Sequence, residues 1–255
     1  MYLAKVKRKE FLTEKIVLLH MEPLGNKVEA FKPGQFLKIK VYKEGFDPLF
    51  PRPFTVHYIE GTTLQILFQI IGKGTKLLSE VREGEILEFL GPLGKPFPKE
   101  IEYPLALCAG GIGVAGFPFF LKCLSMEERE KTFLFYGAKS KKELVRLDLL
   151  KELCPKVCLA TEDGSLGYKG YVTELLEEEL KKGTIKTLLA CGPFPMLKKI
   201  KKLGELYNVK IYLVLETFMA CGTGFCLGCV IPKKEGGYFH LCKDGPTLLA
   251  NLVEL

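Results

Sequence analysis

Over the first hundred residues, short apolar runs alternate with turns. Runs at 16–19, 35–41, 54–58, 64–70 and 86–89 are rich in β-branched and aromatic residues, and Gly or Pro bounds many of them. Several also alternate in polarity, which predicts an antiparallel barrel or sandwich. One helix, over 75–81, interrupts these strands. After Tyr103 the rhythm changes. Apolar runs at 105–109, 132–136, 157–160, 187–190 and 210–214 alternate with helical patterns at 114–124, 142–152, 172–182 and 195–207. That alternation predicts a Rossmann-like parallel sheet covered by helices, with ligands at the carboxyl ends of its strands. The expected organisation is a β-barrel over 1–99, an α/β domain over 100–212 and a small terminal module over 213–255.

Composition adds constraints. The 255 residues suit about two domains of ordinary size, at roughly 100–200 residues each. The net charge of +7 comes from dispersed lysines. The densest run, Lys198, Lys199, Lys201 and Lys202, lies on a helical pattern without interleaved aromatics and reads as a solvated face, so no nucleic-acid partner is expected. Residues 104–121 carry no charge and must be weighed as a membrane span. Gly110, Gly111, Gly113, Gly116 and Pro118 instead mark a buried strand, a tight turn and a helix start, so no membrane segment is expected. The first residues hold no apolar signal core, so a cytoplasmic location is expected.

Four of the nine cysteines stand as Cys221-x4-Cys226-x2-Cys229-x12-Cys242. Three thiolates in one glycine-rich loop, with a fourth downstream, is the plant-type [2Fe–2S] arrangement. Glycines let the backbone wrap closely and aim its N–H groups at the sulfurs. Zinc is the rival, although structural zinc sites usually present two separated C-x2–4-C knuckles. Disulfides would need an oxidising compartment. The remaining Cys108, Cys123, Cys154 and Cys158 sit in apolar runs and are expected as buried thiols. His20, His57 and His240 are scattered, with no partner at ligand spacing.

Two places in the barrel carry possible chemistry. Arg52-Pro53-Phe54-Thr55 puts a guanidinium, which meets two phosphate oxygens at once, beside a hydroxyl and an aromatic ring. Gly72-Lys73-Gly74-Thr75 opens a helix, where backbone N–H groups favour an anion. The plainer readings are a strand-end ion pair and simple turns. In the α/β region, Gly110-Gly111-Ile112-Gly113 and Cys191-Gly192-Pro193 follow strands on the carboxyl edge, as does the loop 161–170. One dinucleotide could touch all three, though each alone could be an ordinary turn.

Together these segments resemble the ferredoxin–NADP reductase superfamily over almost the whole chain. Arg52-Pro53-Phe54-Thr55 looks like its Arg-x-x-Ser/Thr flavin motif, Gly72 to Thr75 like its second flavin loop, and the Gly110 and Cys191 loops like its two nicotinamide loops. Glu216 to Gly222, with Cys242 to Pro246, narrows the resemblance to the family of electron-transfer subunits of dihydroorotate dehydrogenase B. That resemblance implies FAD, a [2Fe–2S] cluster and NAD as co-substrate, in pyrimidine biosynthesis. It implies a separate FMN-containing catalytic subunit as partner, two copies of each forming a heterotetramer. Cys221, Cys226, Cys229 and Cys242 would hold the cluster and Arg52 the FAD diphosphate. Thr55 would lie near the isoalloxazine edge, Gly74 and Thr75 would bind phosphate, and Leu67, Phe68 and Gln69 would offer backbone groups to the flavin. No side chain is expected to act as general acid or base. Two departures stand out: Gly116 replaces a common proline, and Thr55 a commoner serine. Lys139 would suit NADP, whereas Glu162 or Asp163 would suit NAD. The same build would also serve the small subunit of an NADH-dependent ferredoxin–NADP oxidoreductase, a hydrogenase or sulfide dehydrogenase subunit, or a cluster-binding redox sensor.

Overall fold

The computed structural model describes residues 1–25, 28–41 and 47–255. Its first strand, β1 (Tyr2–Phe11), is absent from the hydrophobic pattern because half of its side chains are charged and only Ala4 and Val6 turn fully inward. β2 (Ile16–Pro23), β3 (Phe36–Ile39), β4 (Arg52–Glu60), β5 (Thr63–Gln69) and β6 (Ile86–Leu93) complete a closed barrel in the order β1-β2-β5-β4-β3-β6. Every neighbouring pair is antiparallel. Closure leaves no unpaired edge. Helix α1 (Lys73–Ser79) joins β5 to β6.

β3 is buried on both faces, all four residues being at most 4% exposed. Side chains alternate across a strand, so Leu37 and Ile39 enter the barrel core. Phe36 points outward, into a second core shared with the rest of the chain.

That second body contains β7 (Leu105–Gly110), α2 (Phe117–Cys123), α3 (Met126–Glu130), β8 (Thr132–Ala138), α4 (Leu147–Leu153), β9 (Lys156–Thr161) and β10 (Tyr168–Lys169). It continues through α5 (Val172–Lys181), β11 (Thr187–Cys191), α6 (Phe194–Tyr207) and β12 (Lys210–Val214). The cysteine-rich tail adds a hairpin, β13 (Val230–Pro232) and β14 (Tyr238–His240), then α7 (Leu241–Asp244) and β15 (Thr247–Leu249). The sheet order is β10-β9-β8-β7-β11-β12-β15, parallel except that β15 runs antiparallel to β12. The tail is therefore stitched into the sheet. Strand order reverses at β7, which puts the expected ligand crevice beyond the ends of β7 and β11. The uncharged stretch 104–121 becomes β7 and α2, and no helix among the described residues is long and apolar enough to cross a membrane.

Three local expectations need correction. The helix expected over 114–124 begins only at Phe117, after a 3-10 turn over Gly111–Gly116, with Pro118 in the first helical turn where its missing N–H costs nothing. The helix expected over 142–152 is only α4, because Arg146 stands at φ 63 and breaks the run. Cys123, expected to be buried, is exposed where α2 ends. Cys108 and Cys154 are buried, and Cys158 is half-buried.

A buried imidazole joins the barrel to the sheet. His57 of β4 is 0% exposed, with Nδ1 2.8 Å from the Ala115 carbonyl and Nε2 3.3 Å from Arg146 Nε. A carbonyl only accepts, so Nδ1 carries the proton and Nε2 receives the Arg146 N–H. Burial, opposed by the Ala115 bond and reinforced by the Arg146 charge, pushes the His57 pKa down to about 3. Between that value and the ordinary histidine pKa of about 6.5, the unfolded chain binds the extra proton. The stability contributed is complete above pH of about 6.5 and is lost as pH falls through this window, at about 1.4 kcal/mol per pH unit. Denaturant midpoints measured across this range should fall with acidity in the parent chain and less steeply in His57→Asn, which keeps a donor for Ala115. Equal slopes in the two proteins would contradict this role.

Candidate functional site

The barrel motif is assembled by β4 and the start of α1. A β-carbon on Gly74 would lie 3.0 Å from Arg52 Nε, so the Arg52 side chain lies across the first turn of α1. One Arg52 N–H donates to the Phe50 carbonyl at 2.6 Å, and among the described residues no carboxylate pairs with the guanidinium. The strand-end ion pair is therefore not formed among the described residues. The Thr75 hydroxyl is committed to the turn, accepting from Ile71 N at 2.9 Å and Gly72 N at 3.1 Å. What that turn offers an anion is backbone N–H and Arg52. Pro53 is exposed, whereas Phe54 and Phe68 pack within the barrel core, their rings 5.5 Å apart. Leu67 faces outward into the core beneath the sheet. Phe54, Leu67 and Phe68 thus have only backbone to present.

Thr55 meets the glycine turn of the α/β body. A β-carbon on Gly116 would stand 3.0 Å from Thr55 Cγ2. The two departures from the superfamily pattern are therefore one packing event: the methyl that threonine adds takes the space that glycine leaves.

A cleft of about 1150 Å³ opens at the switch point of the sheet. Its walls include Gln69 and Lys15 of the barrel, Gly110, Gly111, Ile112 and Gly113 after β7, and Cys191, Gly192 and Pro193 after β11. Lys139, Glu162, Tyr171 and Glu216 complete its rim. The glycines serve two purposes. A β-carbon on Gly113 would come within 2.6 Å of the Cys191 carbonyl carbon and 2.9 Å of Gly192 N, and one on Gly110 within 2.6 Å of Met196 Sδ. These two are demanded by the packing of one loop on the other. Gly111, at φ +54 with nothing within 4 Å of its would-be β-carbon, is the one that leaves the turn open. Burial, and secondarily Glu216, push the Cys191 thiol well up, so it stays neutral. Surrounding protein also raises the Glu216 carboxyl. Of the charged residues weighed for nucleotide choice, Asp163 is spent on its own turn, accepting from Ser165 N at 2.9 Å and Ser165 Oγ at 2.6 Å. Lys139 and Glu162 both reach the cleft.

The tail gathers the four cysteines. Cys229 and Cys242 are buried, Cys221 is half-buried and Cys226 exposed. Backbone N–H groups converge on their sulfurs. Thr223 N and Cys226 N each lie 3.4 Å from Cys221 Sγ, Gly224 N 3.0 Å from Cys242 Sγ, and Cys242 N 3.4 Å from Cys229 Sγ. The loop turns through left-handed conformations at Gly222 (φ +80), Gly224 (φ +83) and Leu227 (φ +56). Burial opposes ionisation of Cys221, but the Cys226 and Thr223 N–H groups outweigh it and hold that thiol down to about 5. Among the described residues no three Cys, His, Asp or Glu side chains form a group that could hold a metal ion. A group spread over two irons and bridging sulfides, with N–H donors around its sulfurs, fits this donor set.

Three residues outside the sequence motifs shape these sites: Lys38 beneath the cysteine loop, and His57 and Arg146 between the two bodies. Glu216, which opens the motif ahead of the cysteines, lines the cleft. The tail and the α/β body each match a family model, the iron–sulfur cluster binding domain of dihydroorotate dehydrogenase B over residues 216–254 and the oxidoreductase NAD-binding domain over 107–202. The chain is 39% identical to the dihydroorotate dehydrogenase B (NAD(+)) electron transfer subunit homolog of Aquifex aeolicus, over 87% of this chain and 85% of that one. It is 34% identical to the electron transfer subunit of Clostridium acetobutylicum, over 86% and 85%. Among solved structures, that of an NADH-dependent reduced ferredoxin–NADP oxidoreductase aligns with a TM-score of 0.86 at 26% identity, over 98% of this chain and 89% of that one. The FAD/NAD binding domain of a Vibrio cholerae nitric oxide dioxygenase, at 20% identity and a TM-score of 0.68 over 85% of this chain and 98% of that one, shares the fold. By its fold, its cysteine-bearing tail and these identities, the chain belongs to the family of dihydroorotate dehydrogenase B (NAD(+)) electron transfer subunits.

Proposed function

We propose that this chain relays electrons from the catalytic subunit of a dihydroorotate dehydrogenase to NAD+, in the formation of pyrimidine nucleotides. The observation that carries the reading is the N–H-lined cysteine loop built onto the same sheet whose other strands frame the dinucleotide cleft. When bound, FAD exchanges two electrons with NAD and single electrons with a [2Fe–2S] cluster. The chain's own residues hold and shield these groups. Cys221, Cys226, Cys229 and Cys242 ligate the cluster. Arg52, with backbone N–H groups of Gly74 and Thr75 in the turn that Gly72 opens, binds the FAD diphosphate, and Pro53, Phe54 and Thr55 set the strand beside the flavin. Leu67, Phe68 and Gln69 give it backbone contacts. Gly110, Gly111, Gly113, Cys191, Gly192 and Pro193 receive the nicotinamide nucleotide. NAD is the nucleotide of this reading because the relatives are named for it; at the cleft Glu162 would disfavour a 2′-phosphate and Lys139 would favour one.

The partner in this reading is an FMN-containing catalytic subunit, assembled two-and-two with this chain in the cytoplasm. Its docking face is the one around the cysteines, where Phe218 is 97%, Phe225 90% and Tyr238 58% exposed. Apolar side chains so exposed on the cysteine-bearing tail mark an interaction surface. A second reading, in which the electrons come from reduced ferredoxin, is favoured by the TM-score of 0.86 to the ferredoxin–NADP oxidoreductase. Mixing the loaded chain with each candidate donor decides between them. NAD+ reduction should depend on dihydroorotate and its catalytic subunit; dependence on reduced ferredoxin would favour the second reading.

Two substitutions probe the parts separately. Cys226→Ser should abolish the visible and paramagnetic signature of the cluster while leaving flavin content and NADH-driven dye reduction near the parent's. Loss of dye reduction together with the cluster would contradict the assignment of separate sites. Phe225→Asp should weaken co-purification with the catalytic subunit at least tenfold, on the scale of about 1.4 kcal/mol or more for a buried aromatic anchor. Unchanged assembly would remove this face from the interface.

A further inference from the structure

Lys38 is the only Lys, Arg, Asp or Glu among the fully buried described residues, at 1% exposure. It stands on the outward face of β3, paired in register with Pro53 of β4 and Leu90 of β6. An outward lysine on a barrel strand ordinarily meets water; here the cysteine loop covers it. Its Nζ donates to the Met219 carbonyl at 3.2 Å and to the Ala220 carbonyl, the two residues just ahead of Cys221. Its stem runs under the loop, since a β-carbon on Gly222 would come within 2.5 Å of Lys38 Cδ. Phe36 and Leu93 of the barrel and Met219, Cys229 and Cys242 of the tail belong to one apolar core around this contact. The ionisable groups that act on Lys38 are the Cys221, Cys226 and Cys242 thiols and, with the opposite sign, the Arg52 guanidinium.

Accepting that the four cysteines hold a [2Fe–2S] cluster, we infer that Lys38 is a positioning residue for it. Its two hydrogen bonds fix the ligand loop on the wall of the flavin barrel, and its charge raises the reduction potential of the cluster. The physical reason is the charge count. A ferric pair, two sulfides and four thiolates carry net negative charge, and one-electron reduction adds another, so a buried cation stabilises the reduced form more than the oxidised one. Among the described residues no carboxylate pairs with the Lys38 ammonium, which lies against the ligand loop. Lys40, two residues on along the same face, instead spends its charge on Glu88 at 2.7 Å.

The test is an EPR-monitored redox titration of the full chain loaded with FAD and cluster, comparing the parent with Lys38→Met, Lys38→Gln and Lys38→Arg. At a fixed potential, the ratio of reduced to oxidised cluster should fall about tenfold in the Met and Gln variants, a shift of about 59 mV for one electron. The flavin potential should not move, and the Arg variant should stay near the parent. Loss of iron and sulfide from the Met variant, with FAD kept and the Arg variant loaded, would support the positioning role. If the Met variant does not fold, the Gln and Arg pair carries the comparison. A loaded, neutral variant with an unshifted cluster potential, or one whose flavin potential shifts equally, would overturn the inference while leaving the cluster reading intact. A parent chain without any cluster signal would overturn both.

Discussion

The covering of β3 ties the molecule together: its inward residues fill the barrel while its outward residues, Phe36 and Lys38, lie beneath the cysteine loop. A strand with water on one side could have tolerated movement of the tail. One buried on both sides cannot let the loop go without exposing Phe36 and stranding the Lys38 ammonium without its carbonyl partners, which is costly in a desolvated site. From the other end, β15 fastens the tail to β12, and Lys95 N donates to the Gly245 carbonyl at 2.6 Å. The ligand loop is thus pinned both to the barrel and to the parallel sheet.

The barrel and the sheet are joined with similar economy. His57 bridges β4 to the glycine turn and to Arg146, and the close fit of Thr55 against Gly116 brings the flavin motif up to the nucleotide loop. Each contact sits within a few residues of a proposed cofactor contact. Positions that carry electrons must keep fixed separations, and here Thr55, proposed to lie beside the flavin, also packs one body on the other.

Much of this was legible in the chain. The change from period-two runs to strand–helix alternation marked both bodies, and the cysteine spacing marked the tail. What escaped did so for physical reasons. β1 pairs through its backbone while half of its side chains are charged, so it carries little hydrophobic signal. β15 spans only Thr247–Leu249 and is defined by its partner β12, which no local pattern reveals. Lys38 and His57 look like ordinary strand residues until the surfaces that bury them are known. The glycines of the nucleotide loops were recognisable, but Gly110 and Gly113 are held by loop-on-loop packing, leaving Gly111 as the open position.

The central claim is that one rigid chain carries both a two-electron and a one-electron site. Anaerobic reductive titration of the reconstituted protein, with absorption and EPR read in parallel, counts those sites directly. The account predicts three electrons per chain, two taken by the flavin and one appearing as the signal of a reduced [2Fe–2S] cluster. A plateau at two electrons, with flavin bleached and no such signal, would contradict it.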